Sequence, residues 1–314
     1  MLWSKPDTTC PMLWDDVFIS EDGNVYACCH SQPAILGNIY ENHLRDIVNG
    51  ESAQRMRRFS LEGKLLCYPS CSLLDKKKIV KNPNRDITTD YDTLKSLKIL
   101  FGEKCNISCI MCPQDHKREL SIDHERMAQN LDLTPFESIE IQGGEPMFIR
   151  SANRFYDYAA SHKKKVSFLT NGLLMNTNWA EKIAKHSGWI YVSLNAATKK
   201  THEIVNRGSE WEKVMKNIQM LRTARNEHNT NLKIKGHMTI VKENIDEIPE
   251  FIQQHKAFGF DEIDFGFNFD IPLYLKTHPN TKRTLKKQVQ EAIQSFDGNN
   301  TVIQDLRLKM LGLR

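Results

Sequence analysis

Three cysteines stand close together in the sequence with a spacing that suits metal chemistry. Cys105, Cys109 and Cys112 read C-x3-C-x2-C and follow an apolar run at residues 97–101. Three thiolates on one loop can bind three irons of a cubane iron–sulfur cluster, which leaves the fourth iron open for an exchangeable ligand. Structural zinc normally takes four protein ligands, so a zinc site would need a fourth from His116 or from elsewhere. The spacing alone is only moderately specific, and the motifs that follow it in the chain favour the cluster over zinc.

The other five cysteines lie in the N-terminal quarter of the chain: Cys10, Cys28, Cys29, Cys67 and Cys71. The N-terminus lacks a basic start followed by an apolar run, and no stretch of about 18 consecutive apolar residues occurs, so we expect a cytoplasmic protein. In a reducing compartment these side chains serve as thiols or metal ligands rather than as disulfides.

Polar motifs follow several of the predicted strands. They are Gly143-Gly144-Glu145-Pro146 after the second strand, Thr170-Asn171-Gly172 after the third, Ser193 and Asn195 at the end of the fourth, and Arg207 in the next segment. Functional groups of a β/α barrel lie at the carboxyl ends of its strands. We therefore expect these motifs at that end of a barrel.

The elements that position these motifs are short apolar runs alternating with amphipathic stretches. The runs are residues 97–101, 138–141, 166–169, 190–194, 232–241 and 263–269, and helical patterns include residues 211–225 and 248–258. Alternating strands and helices indicate a parallel sheet. We predict an α/β fold containing a partial (β/α)6 TIM-like barrel.

A polar, proline-containing stretch at residues 75–95 separates the early cysteines from these units. We predict a small N-terminal α+β domain, made of a β-hairpin turning at Asp22-Gly23 plus a helix. The predicted boundaries are 1–80 for this domain, 81–95 for a linker, 96–275 for the partial barrel and 276–314 for a helical extension.

Alternation in the sixth strand separates aromatic from polar residues. The aromatic positions are Phe265, Phe267 and Phe269, and the polar positions are Asp264, Gly266 and Asn268. We expect the aromatic face to pack on helices and the polar face to line the interior, where it either contacts a substrate or only hydrogen-bonds within the barrel. His237 and Tyr274 are candidate proton donors, although such single residues are more often structural.

Charge argues against polyanionic partners. The 314 residues carry a formal net charge of +4, which metal-bound thiolates would reduce further. We therefore expect neither nucleic-acid nor membrane binding.

The three-cysteine loop, the GGEP element and the motifs after the strands together resemble the radical S-adenosylmethionine (radical SAM) superfamily, over residues 97–269. The resemblance implies a 4Fe–4S cluster on Cys105, Cys109 and Cys112 whose open iron binds the methionine moiety of S-adenosylmethionine (SAM). Reductive cleavage of SAM then yields a 5'-deoxyadenosyl radical that abstracts hydrogen from a substrate. An external electron donor of the flavodoxin or ferredoxin type is implied.

The same resemblance assigns contacts with SAM. The residues are Met111, Gly143, Gly144, Glu145, Pro146, Asn171, Ser193, Asn195 and Arg207. Glu145 would accept a hydrogen bond from the SAM ammonium group, and Arg207 would pair with its carboxylate. Met111 departs from the aromatic residue that many relatives carry there, although a thioether can fill that space. An ordinary strand-to-helix turn is the alternative for Asn171, and a helix start is the alternative for Arg207.

The N-terminal segment resembles the auxiliary-cluster domain called SPASM, or its shorter twitch form. The resemblance rests on the spaced cysteines, the Asp-Gly turn and the Leu36-Gly-Asn-Ile39 element. It implies one auxiliary 4Fe–4S cluster on Cys10, Cys28, Cys67 and Cys71. The module precedes the barrel instead of following it, and cysteines for a second auxiliary cluster are lacking. A single zinc on the same thiols, or Cys29 in place of Cys28, are the alternatives.

These expectations combine into a radical SAM enzyme acting on a small molecule or short peptide, with the auxiliary cluster supporting redox chemistry. One alternative is a maturase of ribosomally made peptides from the same superfamily. Another is a noncatalytic zinc-binding interaction protein. The sequence names no catalytic acid or base.

Overall fold

The computed structural model describes residues 2–4, 9–29, 31, 34–67, 71, 85–295 and 302–314. The chain divides into two compact units: unit 1 comprises residues 1–103 and 118–166, and unit 2 comprises residues 104–117 and 167–314. Within the described ranges, no helix is both long and apolar enough to cross a membrane.

Unit 1 contains a mixed sheet with strand order β7-β6-β2-β3-β4 and a separate antiparallel pair, β1 with β5. The strands are β1 (Leu2–Ser4), β2 (Asp16–Ile19), β3 (Asn24–Tyr26), β4 (Gly37–Asn38), β5 (Lys64–Leu66), β6 (Ser96–Leu100) and β7 (Ser138–Gln142). Parallel pairing of β6 with β7 brings Ile99 beside Ile141, both fully buried.

The predicted hairpin is formed by β2 and β3, which pair antiparallel with Phe18 opposite Tyr26. Gly23 turns the chain at a φ of 82°, where a side chain is strained, and a Cβ there would lie 2.6 Å from the Tyr40 ring. Asp22 accepts a hydrogen bond from the backbone of Asn24. Glycine is therefore required at this turn.

Strand β2 also pairs parallel with β6, with Asp16 beside Ser96 and Ile19 beside Ile99. The sequence predicts this hairpin in a separate domain, divided from the β-α units by a linker. Instead, the hairpin extends the sheet that begins those units. The described part of the predicted linker, residues 85–95, also packs within unit 1, where Trp14 Nε1 donates to Asp86 O at 2.8 Å.

The helices of unit 1 are α1 (Met12–Asp15), α2 (Leu44–Ile47), α3 (Glu51–Leu61), α4 (His124–Asn130) and α5 (Arg150–Ser161). Arg57 on α3 is 2% exposed, and burial lowers its pKa to about 10. Its guanidinium donates to Leu13 O at 2.8 Å and to Ile87 O at 3.1 Å. One buried cation therefore joins α1, α3 and the segment before β6.

Unit 2 contains a fully parallel run of strands in the order β8-β9-β10-β11-β12. The strands are β8 (Val166–Thr170), β9 (Trp189–Ser193), β10 (Lys233–Ile240), β11 (Glu262–Phe267) and β12 (Ile303–Gln304). The helices are α6 (Thr177–His186), α7 (Lys199–Val205), α8 (Trp211–Glu227), α9 (Ile248–Phe258), α10 (Ile271–Thr277), α11 (Pro279–Gln294) and α12 (Leu306–Met310). Helices connecting parallel strands confirm the α/β class.

Two expectations for the C-terminal part were wrong. Strand β11 ends at Phe267, so Phe269 lies beyond the sheet and is 96% exposed, whereas Phe265 is buried as predicted. The C-terminal extension is not wholly helical, because Ile303 and Gln304 form a strand beside β11. Ile271 N donates to Asn268 O at 3.1 Å, so a turn at Asn268 ends the strand although the alternation of residue types continues to Phe269.

Candidate metal centres

The three-cysteine loop belongs to unit 2 and is held mainly by backbone hydrogen bonds. Ser108 N donates to Arg207 O at 2.8 Å, and Ile110 N donates to Val205 O at 3.0 Å. These two bonds flank Cys109 and fix it against the segment after α7. All three cysteines of the loop are half-buried.

Two asparagine side chains also contact this loop. Asn171 Nδ2 donates to Asn106 Oδ1 at 2.9 Å and to Cys105 Sγ at 3.8 Å. Asn206 Oδ1 lies 3.5 Å from Cys109 Sγ and accepts from that thiol. The structure thus brings Asn171 to the cluster loop, and it adds Asn206, which the sequence analysis did not name.

Behind the loop lies a buried polar network. Asn206 and His202 are fully buried, and Asn195 is 2% exposed. Asn195 Nδ2 donates to Asn206 Oδ1 at 2.9 Å, while its Oδ1 accepts from Thr239 N at 2.8 Å. Burial lowers the pKa of His202, which matches a neutral ring bonded to Leu194 O and to the Ser209 hydroxyl. Both polar ends of Asn195 are therefore engaged within unit 2.

Ser193 and Arg207 stand on the two sides of this network. Ser193 ends β9, is half-buried, and its carbonyl accepts from Asn206 Nδ2 at 3.0 Å. Arg207 has an exposed side chain, while its carbonyl anchors the cysteine loop. Met111 is half-buried in the loop itself. Their predicted contacts with SAM remain predictions.

The GGEP element follows β7 in unit 1 and depends on close backbone approach. Gly143 has a φ of 138°, and a Cβ there would lie 2.4 Å from Gly102 O. Gly144 N donates to the same carbonyl at 2.9 Å. Glu145 is 1% exposed, and its Oε1 accepts from Met147 N at 3.2 Å. Gly143 is required sterically, Gly144 contributes a backbone donor, and the Glu145 carboxylate is bonded to the backbone of the same turn.

Four N-terminal thiols share one electrostatic environment in unit 1. Burial, followed by the nearby thiols of Cys28, Cys67 and Cys71, raises the pKa of Cys10 to about 12. Cys10 N also donates to Ser60 Oγ on α3 at 2.9 Å. Thiols whose charges disfavour the ionisation of Cys10 suit a bound cation, because a metal removes this repulsion.

Cys29 has different surroundings from Cys28. Its pKa is raised first by burial, while the charges that act on it belong to Lys98, Glu140 and Cys71. Lys98 lies 3.4 Å from the Glu140 carboxylate. Both cysteines lie in the turn after β3, where Ser31 N donates to Cys28 O at 3.1 Å, and not on the strand itself.

Among the described residues, no three His, Cys, Asp or Glu side chains converge on a single-ion site. A cubane does not demand such convergence, because each cysteine sulfur binds a different iron. The donor chemistry fits two clusters: three thiols on one loop in unit 2, and in unit 1 the thiol of Cys10 with the three thiols that act on it electrostatically.

Unit 2 also presents a polar sheet face that the sequence revealed only in part. His237 and Asp264, on adjacent strands, form a short hydrogen bond from Nδ1 to Oδ1, and His237 Nε2 lies 3.1 Å from Thr239 Oγ1. Two residues earlier on the same strands, Lys235 Nζ lies 2.8 Å from the Glu262 carboxylate. The predicted lining residue Asp264 is thus a partner of His237.

Unit 1 has a comparable face, which the sequence analysis missed. Burial raises the pKa of Asp16 to about 6, although nearby Lys98 opposes the shift. The pairing of β2 with β6 brings Asp16 near Lys98. The two residues are about 80 residues apart in the chain, and β2 was not expected beside β6, so the sequence did not reveal that they are neighbours.

Comparisons with known proteins agree with this geometry. The sequence model of the radical SAM superfamily matches residues 99–254, and that of the iron–sulfur cluster-binding domain SPASM matches residues 10–72. The chain belongs to the radical SAM superfamily. It is an iron–sulfur enzyme of that superfamily with a SPASM-type domain, as predicted, and the two matched domain models imply SAM, a 4Fe–4S cluster and an auxiliary iron–sulfur cluster as its cofactors.

Individual relatives are similar over part of their length. The antilisterial bacteriocin subtilosin biosynthesis protein AlbA of Bacillus subtilis (strain 168) is 25% identical over 226 residues, covering 65% of this chain and 49% of AlbA. Mycofactocin maturase MftC of Mycolicibacterium smegmatis is 25% identical over 161 residues, covering 49% of this chain and 40% of MftC. The radical SAM chain thus spans about half the length of these curated relatives or less.

The crystal structure of Streptococcus suis SuiB bound to precursor peptide SuiA has a TM-score of 0.51 with this chain at 14% identity, and the match covers 96% of this chain and 72% of SuiB. At that identity the likeness shows the fold alone. The predicted fold class, an α/β partial barrel of the radical SAM type, is confirmed.

Proposed function

We propose that this enzyme cleaves SAM reductively and uses the resulting radical to modify a peptide. The observation that carries the first part is the loop in unit 2, whose three half-buried thiols are anchored on both sides of Cys109. Three protein ligands leave a cubane with one open corner. When bound there, the cluster and SAM supply a 5'-deoxyadenosyl radical.

The chain's own residues bind and orient the cofactors. Cys105, Cys109 and Cys112 hold the irons, and Glu145, buried and fixed by Met147 N, accepts a hydrogen bond from the SAM ammonium group. Arg207, exposed beside the loop, pairs with the SAM carboxylate. Ser193 and Met111, with the backbone of Gly143, Gly144 and Pro146, complete the contacts.

We propose one auxiliary 4Fe–4S cluster, bound by Cys10, Cys28, Cys67 and Cys71. The electrostatic link from Cys10 to the other three supports this set, and the Lys98 environment of Cys29 argues against that neighbour. Four ligands close the cluster, which suits electron transfer rather than substrate binding. An external donor of the flavodoxin or ferredoxin type supplies the electron for SAM cleavage in a cytoplasmic setting.

The names of the relatives support a peptide substrate. One acts in the biosynthesis of a bacteriocin, another is named a maturase, and SuiB was crystallised with a precursor peptide. The proposal covers thioether or carbon–carbon crosslinking and epimerisation. A small molecule remains the second candidate for the same radical chemistry.

Anaerobic reconstitution tests the cluster assignment. We expect about eight irons per chain, a brown protein, and release of 5'-deoxyadenosine on adding dithionite and SAM. The variant Cys105→Ala/Cys109→Ala/Cys112→Ala should keep about four irons and release none. Release by that variant, or a colourless protein containing zinc and no iron, would contradict the proposal.

The substrate is tested with short peptides encoded beside the gene. A true substrate should show a mass change by mass spectrometry that requires SAM and dithionite and is accompanied by 5'-deoxyadenosine. A matched peptide whose reacting residue is replaced by alanine should show no change. Modification of a nucleotide or sugar, with every peptide unchanged, would favour the small-molecule candidate.

A further inference from the structure

Asn171 approaches the cluster loop with a fixed orientation. It follows β8, is 7% exposed, and its Oδ1 accepts from Leu173 N at 3.0 Å. Because the oxygen is engaged by that backbone N–H, the amide nitrogen must face the loop, where it lies 2.9 Å from Asn106 Oδ1 and 3.8 Å from Cys105 Sγ. A side-chain N–H is therefore aimed at the first cysteine sulfur.

Asn206 approaches the other side of the loop with the opposite end of its amide. Its Nδ2 donates to Ser193 O at 3.0 Å, and its Oδ1 accepts from Asn195 Nδ2 at 2.9 Å, which fixes the oxygen toward Cys109. The carbonyls of its two neighbours, Val205 and Arg207, accept from the loop backbone. Asn206 thus sits at the centre of the loop's attachment.

The two amides have different consequences for an iron-bound thiolate, which can only accept hydrogen bonds. A donor to the sulfur stabilises the more negative, reduced cluster and raises its reduction potential. Asn171 presents such a donor. Asn206 presents an oxygen, which cannot bond to a thiolate. Its contribution is to hold the backbone of Val205 and Arg207, to which the loop is bonded, through its own bonds with Ser193 O and Asn195 Nδ2.

We propose that Asn171 is a positioning residue that donates to the Cys105 thiolate and raises the reduction potential of the SAM-binding cluster, while Asn206 anchors the Cys109 side of the loop. This inference rests on the proposed function. It gives Asn171 a role at the cluster sulfur instead of the SAM contact predicted from the sequence, and it adds Asn206 to the site.

The experiment is a redox titration of the reconstituted enzyme followed by electron paramagnetic resonance, with the auxiliary cluster as internal reference. Asn171→Asp keeps the shape but replaces the N–H donor with a charged acceptor, so the midpoint of the SAM-binding cluster should fall while the auxiliary midpoint is unchanged. Asn171→Ala removes the donor without adding a charge, so it should lower the midpoint of the SAM-binding cluster less. Asn206→Ala should reduce iron from about eight to about four per chain.

Ser167→Ala is the control, because it removes another buried polar group of unit 2, the hydroxyl that accepts from Trp189 N at 3.2 Å, at the opposite end of β8 from Asn171. This variant should keep full iron and both midpoints. Circular dichroism verifies the folding of each variant.

An unchanged midpoint in both Asn171 variants would overturn the donor role, and so would loss of the cluster in both, since a tuning donor is not needed for loading. Full iron with a wild-type spectrum in Asn206→Ala would overturn the anchor. Failure of the proposed function looks different: wild-type protein would itself lack the cluster that responds to SAM.

Discussion

Replacing Gly143 by alanine tests the close approach of two backbones that shapes the GGEP turn. Gly143 has a φ of 138°, and a Cβ there would lie 2.4 Å from the Gly102 carbonyl oxygen, with no flexible side chain to move aside. A left-handed backbone costs a residue with a Cβ about 1–2 kcal/mol. Forced displacement of packed atoms adds about 1–3 kcal/mol. We therefore expect Gly143→Ala to lose about 2–5 kcal/mol of unfolding free energy.

Gly208→Ala separates the two contributions. Gly208 also has a positive φ, 90°, but the nearest atom to a Cβ there is 3.8 Å away. This variant should lose only the conformational part, about 1–2 kcal/mol. Urea unfolding monitored by circular dichroism and tryptophan fluorescence measures both variants against wild type. Equal midpoints for the two variants would refute the argument, because the clash with Gly102 would then have no energetic effect.

Three further experiments test other parts of unit 1. Cys28→Ala should lose about four irons per chain and Cys29→Ala should lose none; the reverse pattern would exchange the two ligands. Arg57→Ala leaves the buried carbonyls of Leu13 and Ile87 without their donor and should lower the unfolding free energy by about 2–4 kcal/mol, against less than about 0.5 kcal/mol for exposed Arg58→Ala. Asp16 has a pKa raised to about 6, so the folded state binds its proton more tightly than the unfolded state, and stability from this group is lost as pH rises through 6. Asp16→Asn should therefore raise the melting temperature more at pH 8 than at pH 5.5, and an equal gain at both would contradict the shift.

Elements with strong local signals were predicted well from the sequence. The helix at Ile248–Phe258 has the predicted bounds, and strand β7 at Ser138–Gln142 extends its prediction by one residue, because apolar spacing decides both. The three-cysteine loop and the GGEP turn follow the expected strands. Each motif consists of residues close together in the chain, so the sequence alone identifies it.

Features set by pairing between distant segments could not be predicted in this way. Nothing local in Asp16–Ile19 specifies β6 as its neighbour, so the group around Asp16 and Lys98 stayed hidden. The bond from Asn206 to the loop was hidden for a related reason: an asparagine at a helix end looks like ordinary capping until the loop is seen against it.

The parallel pairing of β2 with β6 also bears on how the protein folds. Asp16 and Ser96 are 80 residues apart in sequence, so β2 cannot form its parallel backbone hydrogen bonds until β6 is available. Contacts of such separation carry a large loop-closure entropy and slow the folding of a chain. A chain interrupted before β6 would therefore present β2 with an unpaired edge, which is prone to aggregation.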